Sequence, residues 1–452
     1  MAVMSSTLQA AAGRRRTDTR LWHPFAKMSD VREHEFVLTR GEDVWVWDDQ
    51  GRRYYDGTAS LWYANVGHGR REIAEAIARQ LEQLEAYSIF NDLTNRPARE
   101  LAARLSALAP MPDARVIMTS GGADSIDTAA KLARQYWHVM GHGERMHLIS
   151  RTCSYHGTHG FGTSLAGIPG NREGWGPLHP NVSVIQHDSL EALERELEVI
   201  GADHVAAFFC EPVIGAGGVH APPPGYIEGV AEICRRTGVL MIIDSVICAF
   251  GRLGTWFGIE RWGVEPDMIT FAKGVTSGYL PLGGVMVSGR VAEPFWDRPD
   301  APPLRHGPTY SGHPTCAAAA LANLDILERE NLIVRGQELE GALRAALEPL
   351  AQHPLVAEVR AGVGLLAAVE LAPETIAHSA AAPLELFQRV REHGVLVRPL
   401  GGSVAISPPL TAQPEHFALI ADAVARGLDE LGDRAGASTE RYDRAPMVRA
   451  EG

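Results

Sequence analysis

The chain has 452 residues, 45% hydrophobic and 21% charged, the make-up of a globular protein with room for a major core and a smaller second unit. Its 42 basic and 55 acidic residues leave a formal net charge of −13, which argues against nucleic acid as a partner. No apolar run approaches the ~20 residues of a membrane span. The cysteines, Cys153, Cys210, Cys234, Cys248 and Cys316, show no CxxC or zinc spacing, so a reducing, cytoplasmic setting without a metal is expected.

In chain order, the Ala-rich start with Arg14, Arg15 and Arg16 lacks a signal-peptide apolar region and reads as a flexible arm. Short strand patterns follow at Val44–Trp47 and Tyr54–Tyr55, joined by the Asp48–Gly51 turn, and Arg71 to Leu84 reads as an amphipathic helix. From Ala114 to Gly289 apolar runs at 146–149, 182–185, 205–209 and 239–243 alternate with helical patterns, which predicts a mostly parallel, doubly covered sheet. A long helix should follow Pro314, then a strand at Leu365–Val369, a helix at Leu384–His393, and a polar, poorly ordered tail after Gly432.

Three places on this pattern carry chemistry. The strand Arg115–Thr119 runs into Ser120-Gly121-Gly122-Ala123 at a helix start, where free backbone N–H groups and the helix dipole favour a phosphate. Val239–Asp244 is a buried-strand pattern ending in a carboxylate, and such strand ends face the ligand site of open α/β sheets. A carboxylate there stays ionised only with a cationic partner, such as a protonated pyridine nitrogen. The run Asp267–Ala272 delivers Lys273 to another strand end, where a partly desolvated amine can lose its proton and form a Schiff base with an aldehyde. Each feature alone is ordinary; together they describe a site for pyridoxal 5'-phosphate (PLP).

With these residues the sequence resembles the class III, or omega, aminotransferases. The motifs are Gly67-His68-Gly69, Ser120-Gly121-Gly122, Ser154-Tyr155-His156-Gly157, Glu211-Pro212-Val213, Phe250-Gly251-Arg252, Lys273-Gly274 and Thr309-Tyr310-Ser311-Gly312, spread from Leu21 to Leu410. The resemblance implies an α/β chain of PLP fold type I, similar to aspartate aminotransferase: a large domain with a mostly parallel seven-stranded sheet plus a smaller α/β domain. It divides the chain into 1–61, contributing to the small domain, 62–329, the large PLP-binding domain, 330–432, the C-terminal small domain, and 433–452, a flexible tail. Lys273 would hold PLP as an internal aldimine and shuttle the substrate proton; Asp244 would pair with the ring nitrogen. Ser120, Gly121, Gly122 and Ala123 would serve the phosphate, Tyr155 would stack on the ring, and His156, Glu211 and Val246 would complete the surroundings. Thr309 would reach the phosphate from a neighbouring subunit, which implies shared active sites in a homodimer or a tetramer.

For the substrate, Trp62, Tyr63 and Arg398 match pocket positions, and the guanidinium of Arg398 would bind a carboxylate through its bidentate fork. Ala216 occupies the place of the glutamate that holds this arginine in glutamate-linked members, so an amine:pyruvate type is expected. Ser245, Ala249, Leu253 and Pro308 depart from the family pattern beside the cofactor. The reading is therefore an aminotransferase moving an amino group from a primary amine or omega-amino acid to a 2-oxo acid such as pyruvate. Its alternatives are another PLP reaction on this fold, such as a diaminopelargonate-type aminotransferase, an aminomutase or a racemase, and a non-catalytic relative.

Overall fold

In the computed structural model residues 17–442 are described, with side chains to residue 433. The expected arm at 1–16 and the last ten residues of the expected tail lie outside them. The final helix, Pro414–Tyr442, carries the chain past Gly432.

Three sheets organise the chain. The strands are β1 (Leu38–Glu42), β2 (Trp45–Asp48), β3 (Arg53–Asp56), β4 (Arg115–Thr119), β5 (His147–Arg151), β6 (Val182–Ile185), β7 (Val205–Cys210), β8 (Leu240–Asp244), β9 (Met268–Phe271), β10 (Gly283–Val287), β11 (Val356–Ala361), β12 (Ala367–Leu371), β13 (Val395–Leu396), β14 (Arg398–Leu400) and β15 (Ser403–Ile406). The central sheet has seven strands in the order β4-β10-β9-β8-β7-β5-β6. Its pairs from β9 to β6 are parallel, while β10 runs antiparallel to both β4 and β9. The link 272–282 from β9 to β10 contains no α-helix, and without a crossover the next strand has to return antiparallel.

Every residue of β7 and β8 is buried, as expected of strands covered on both faces. The helix Gly122–Val139 lays Ile126, Ala129, Ala130, Leu132 and Ala133 onto the sheet, the small residues allowing a close approach. Across the sheet, Phe208 and Phe271 join a second and larger core. Burying each such ring is worth roughly 2 kcal/mol.

A C-terminal antiparallel sheet has the order β11-β12-β15-β14. Its strand β12 begins at Ala367, two residues later than the apolar pattern suggested, because Leu365 N donates to Arg252 O rather than to the ladder. The predicted helix at Leu384 starts earlier, at Ala382, where Pro383 fits the first turn. In the third sheet, β1-β2-β3-β13, the early chain pairs with the late chain: β13 lies parallel to β3.

Arg252 ties these units together. Fully buried, it donates through Nη1 to Leu365 O at 3.1 Å and Pro408 O at 2.6 Å, and through Nη2 to Asn65 Oδ1 at 3.0 Å. Burial pushes its pKa down to about 10.

Candidate active site

The C-terminal ends of β4, β5, β7, β8 and β9 point to one edge of the central sheet, so the turns that follow them meet there. They enclose a cavity of about 200 Å³ lined by Gly122, Ala123, Ile126, Tyr155, His156, Gly157, Glu211, Asp244, Val246, Ile247 and Lys273.

Asp244 closes β8 and is 4% exposed. Its Oδ1 accepts from Thr270 Oγ1 and from Val246 N, both at 3.1 Å. His156 Nδ1 lies 2.8 Å from its Oδ2, and because a carboxylate only accepts, the ring must carry its proton on Nδ1. These donors hold the carboxylate in a fixed orientation, and His156 Nε2 has no partner among the described residues.

Lys273 follows β9 with φ 47°, a left-handed conformation uncommon for a side-chain-bearing residue and typical of functional sites. Burial pushes its pKa from the usual 10.5 down to about 8, against the opposing pull of Asp244 and Glu211. Glu211, just past β7, accepts from Tyr155 N at 3.2 Å and Gly215 N at 3.0 Å, fixing the Tyr155 loop. Burial raises its pKa, offset in part by His156. The same loop needs Gly157: its φ is 86°, and a Cβ there would lie 2.7 Å from Ala123 Cβ.

At the phosphate turn, Gly121 precedes the helix Gly122–Val139 without a side-chain cap, so the first N–H groups of that helix are available to an anion. Ser120 and Gly121 adjoin the cavity but do not line it.

The mouth is assembled differently. Trp62 is buried; the Lys273 Nζ lies 5.7 Å from its ring centroid and the Arg398 Cζ 5.0 Å. Arg398 is half-buried, its pKa lowered by burial, and it makes no ion pair among the described residues. Tyr63 packs on Gly278 and accepts from Ser60 Oγ at 2.6 Å. Ala216 packs in the apolar cluster that holds Trp62 and Val213. Thr309 is exposed and does not line the cavity of its own chain.

The departures have structural places. Ser245 Oγ donates to Phe257 O at 2.6 Å, and Ala249 and Leu253 are buried in apolar clusters. Sequence reasoning missed Thr270 as a donor to Asp244 and Ile247 as a lining residue. For Thr270 the signal was present, since it stands in the strand run ahead of Lys273.

These residues fit PLP: an amine held near neutrality, a fixed carboxylate, an aromatic side chain and a helix N-terminus surround one cavity. The profile of the class-III aminotransferases matches residues 28–428. An omega-aminotransferase from Caulobacter vibrioides is 35% identical over 91% of this chain and 97% of its own length. A putrescine–pyruvate aminotransferase from Pseudomonas aeruginosa is 36% identical over 87% of this chain and 91% of its own. A crystal structure of a PLP-bound amine transaminase from an uncultivated Pseudomonas species superposes with a TM-score of 0.88 at 35% identity, covering 92% of this chain and all of that one. A non-catalytic relative is set aside.

Proposed function

This chain belongs to the class-III aminotransferases, PLP-dependent enzymes, and we propose that it moves an amino group from a primary amine or omega-amino acid to pyruvate or a similar 2-oxo acid. The observation that carries the substrate class is Arg398, a half-buried guanidinium with no carboxylate of the described residues beside it and Ala216 where a competing glutamate would stand. A small 2-oxo acid supplies that missing carboxylate.

When bound, PLP supplies an aldehyde that captures the amine and a protonated ring that draws electrons from the substrate carbon. The residues here divide the remaining work. Lys273, with a pKa of about 8, is neutral in about a tenth of molecules at pH 7, enough to bind the aldehyde and later to take and return the substrate proton. Asp244, oriented by Thr270 and His156, would keep a proton on the nitrogen of a bound ring. Tyr155, whose backbone Glu211 holds, would pack against that ring, and Gly122 and Ala123 with Ser120 and Gly121 beside them would offer N–H groups to its phosphate. Val246 and Ile247 add apolar side chains to the cavity wall. Trp62, Tyr63 and Arg398 receive the substrate.

The active assembly in this reading is a homodimer whose partner supplies Thr309 to the phosphate. Exposed Leu21, Trp22, Phe25, Tyr87, Phe90 and Tyr310 support it, since a monomer rarely leaves so much large apolar surface open. Thr315 Oγ1 donates to Glu85 O and Asn95 Nδ2 to Gly312 O, holding the two aromatic-bearing segments together. The division into 1–61 with 330–432 as a small domain and 62–329 as a large one draws support from the β3–β13 pairing. Free thiols on all five cysteines support a cytoplasmic location.

The test is the absorbance of the PLP-loaded chain before and after a panel of diamines, omega-amino acids and aryl amines. Conversion to the pyridoxamine form, reversed by pyruvate, is expected. A spectrum that no amine alters would reject amino transfer in favour of another PLP reaction.

A further inference from the structure

The segment that delivers Trp62 is strained, and one buried carboxylate holds it. Ala59, Ser60 and Trp62 have φ of 44°, 59° and 58°, all in the region that side chains disfavour. Left-handed backbone is unfavourable for residues with a side chain, so the loop needs an anchor. Asp56, 2% exposed at the end of β3, is that anchor. Its Oδ1 accepts from Thr58 N at 3.2 Å, and its Oδ2 from Ser60 N at 2.7 Å. His68 Nε2 lies 2.8 Å from the same Oδ2 and must donate to it. Thr58 Oγ1, 3.2 Å from Oδ1, is closer to Ser60 O at 2.8 Å and bridges the loop to itself.

The same carboxylate stands beside the strand leading to Arg398. Asp56 is in register with Leu396 of β13, two residues before the arginine. Gly57 permits this approach, since a Cβ there would lie 2.7 Å from Leu396 O. Ser407 N donates to Gly57 O at 2.7 Å, closing the loop onto the segment after β15. The indole and the guanidinium, distant in sequence, therefore share one support. An aromatic face within about 6 Å of a cation attracts it, more strongly when water is excluded, and the Arg398 Cζ lies 5.0 Å from the Trp62 ring centroid.

We propose that Asp56 is a positioning residue for substrate recognition: it clamps the Ala59–Trp62 loop so that the indole holds the Arg398 guanidinium ready for a substrate carboxylate. The inference rests on the reading of Arg398 given above. Asp56 then governs how tightly carboxylates bind and leaves the proton transfer at Lys273 alone.

Asp56→Asn keeps the side-chain size, but its amide nitrogen cannot accept from Ser60 N and His68. In the PLP-loaded enzyme the Kd for unreactive propionate, read from the absorbance of the bound cofactor, and the KM for pyruvate should both rise about tenfold. The value of kcat, and the KM for an uncharged aldehyde acceptor, should stay within about twofold. An equal rise for both acceptors, or no change in either, overturns the proposal. In a Trp62→Leu background Asp56→Asn should add nothing; an additive effect overturns the route through Trp62. Should Asp56→Asn fail to fold, Thr58→Val removes only the hydroxyl bridge, and it should give the same split at about threefold; equal effects on both acceptors overturn the proposal there too. Arg398→Ala separates the two readings. If that variant leaves the pyruvate KM unchanged, the carboxylate role of Arg398 falls; if it raises the KM while Asp56→Asn does not, only the role of Asp56 falls.

Discussion

The floor of the cavity and its mouth are built on opposite plans. On the floor, Asp244, Glu211 and the turn carrying Lys273 lie at the ends of adjacent strands of one sheet, and each carboxylate is fixed by two or more hydrogen bonds from neighbouring backbone or side chains. At the mouth, Trp62 and Arg398 come from distant parts of the sequence, and their mutual contact is a cation on an aromatic face with no ion pair to the arginine among the described residues. Groups that must hold charge during chemistry sit on rigid strand ends. Groups that must accept different substrates sit on segments whose relation depends on packing between sheets.

Loss of the lysine should break the floor outright. Lys273→Ala should lower kcat at least about 10⁴-fold while PLP still binds without a covalent link, because one side chain supplies both the amine and the proton relay. Turnover near the original rate would show that the floor does not carry the reaction. Asp244→Asn comes next, with a fall in kcat of about 10²–10³-fold from the lost charge opposite the ring proton. Its Oδ1 can keep the bonds from Thr270 and Val246 and only the bond from His156 is lost, so the apo chain should melt slightly lower while single-turnover kinetics slow markedly.

The difference in plan also explains what the sequence disclosed. Strand-end residues announce themselves locally: an apolar run ending in Asp244, another delivering Lys273, and glycines opening the helix at Gly122 are each readable within ten residues. The mouth is not local. Nothing near Asp56 in the sequence says that it meets His68 or lies beside the chain leading to Arg398, since those contacts depend on β13 pairing with β3. Nor did any pattern reveal that β10 reverses between β4 and β9, because a fully buried antiparallel strand has the same apolar run as a parallel one. Ser245 was legible as a departure, but its bond to Phe257 O, directed at the protein backbone, required the fold.

At the mouth the expected losses are smaller and selective. Arg398→Ala should raise the KM for pyruvate roughly 10- to 100-fold, the cost of a lost bidentate charge-assisted pair, and leave an uncharged aldehyde acceptor nearly unaffected. A parallel loss for both acceptors would erase the contrast between floor and mouth, because it would mean that the arginine supports the site as a whole.

The mildest test measures stability without cofactor. Lys273 is held at a pKa of about 8 against an ordinary 10.5, so below pH 8 the folded apo chain carries a buried ammonium that the unfolded chain would hold in water. Between about pH 8 and 10.5 the unfolded state binds more protons, and stability therefore rises with pH through that window. Lys273→Met removes the penalty and should stabilise the apo chain by about 1–3 kcal/mol at pH 7. That gain should shrink as pH rises from 8 and vanish near 10.5, which urea unfolding at a series of pH values can follow. A gain that persists at high pH would trace it to better packing of the methionine, and a loss at pH 7 would mean that Asp244 and Glu211 hold the ammonium more strongly than burial opposes it. Either result would redraw the floor as a region in which the buried ammonium carries no net penalty.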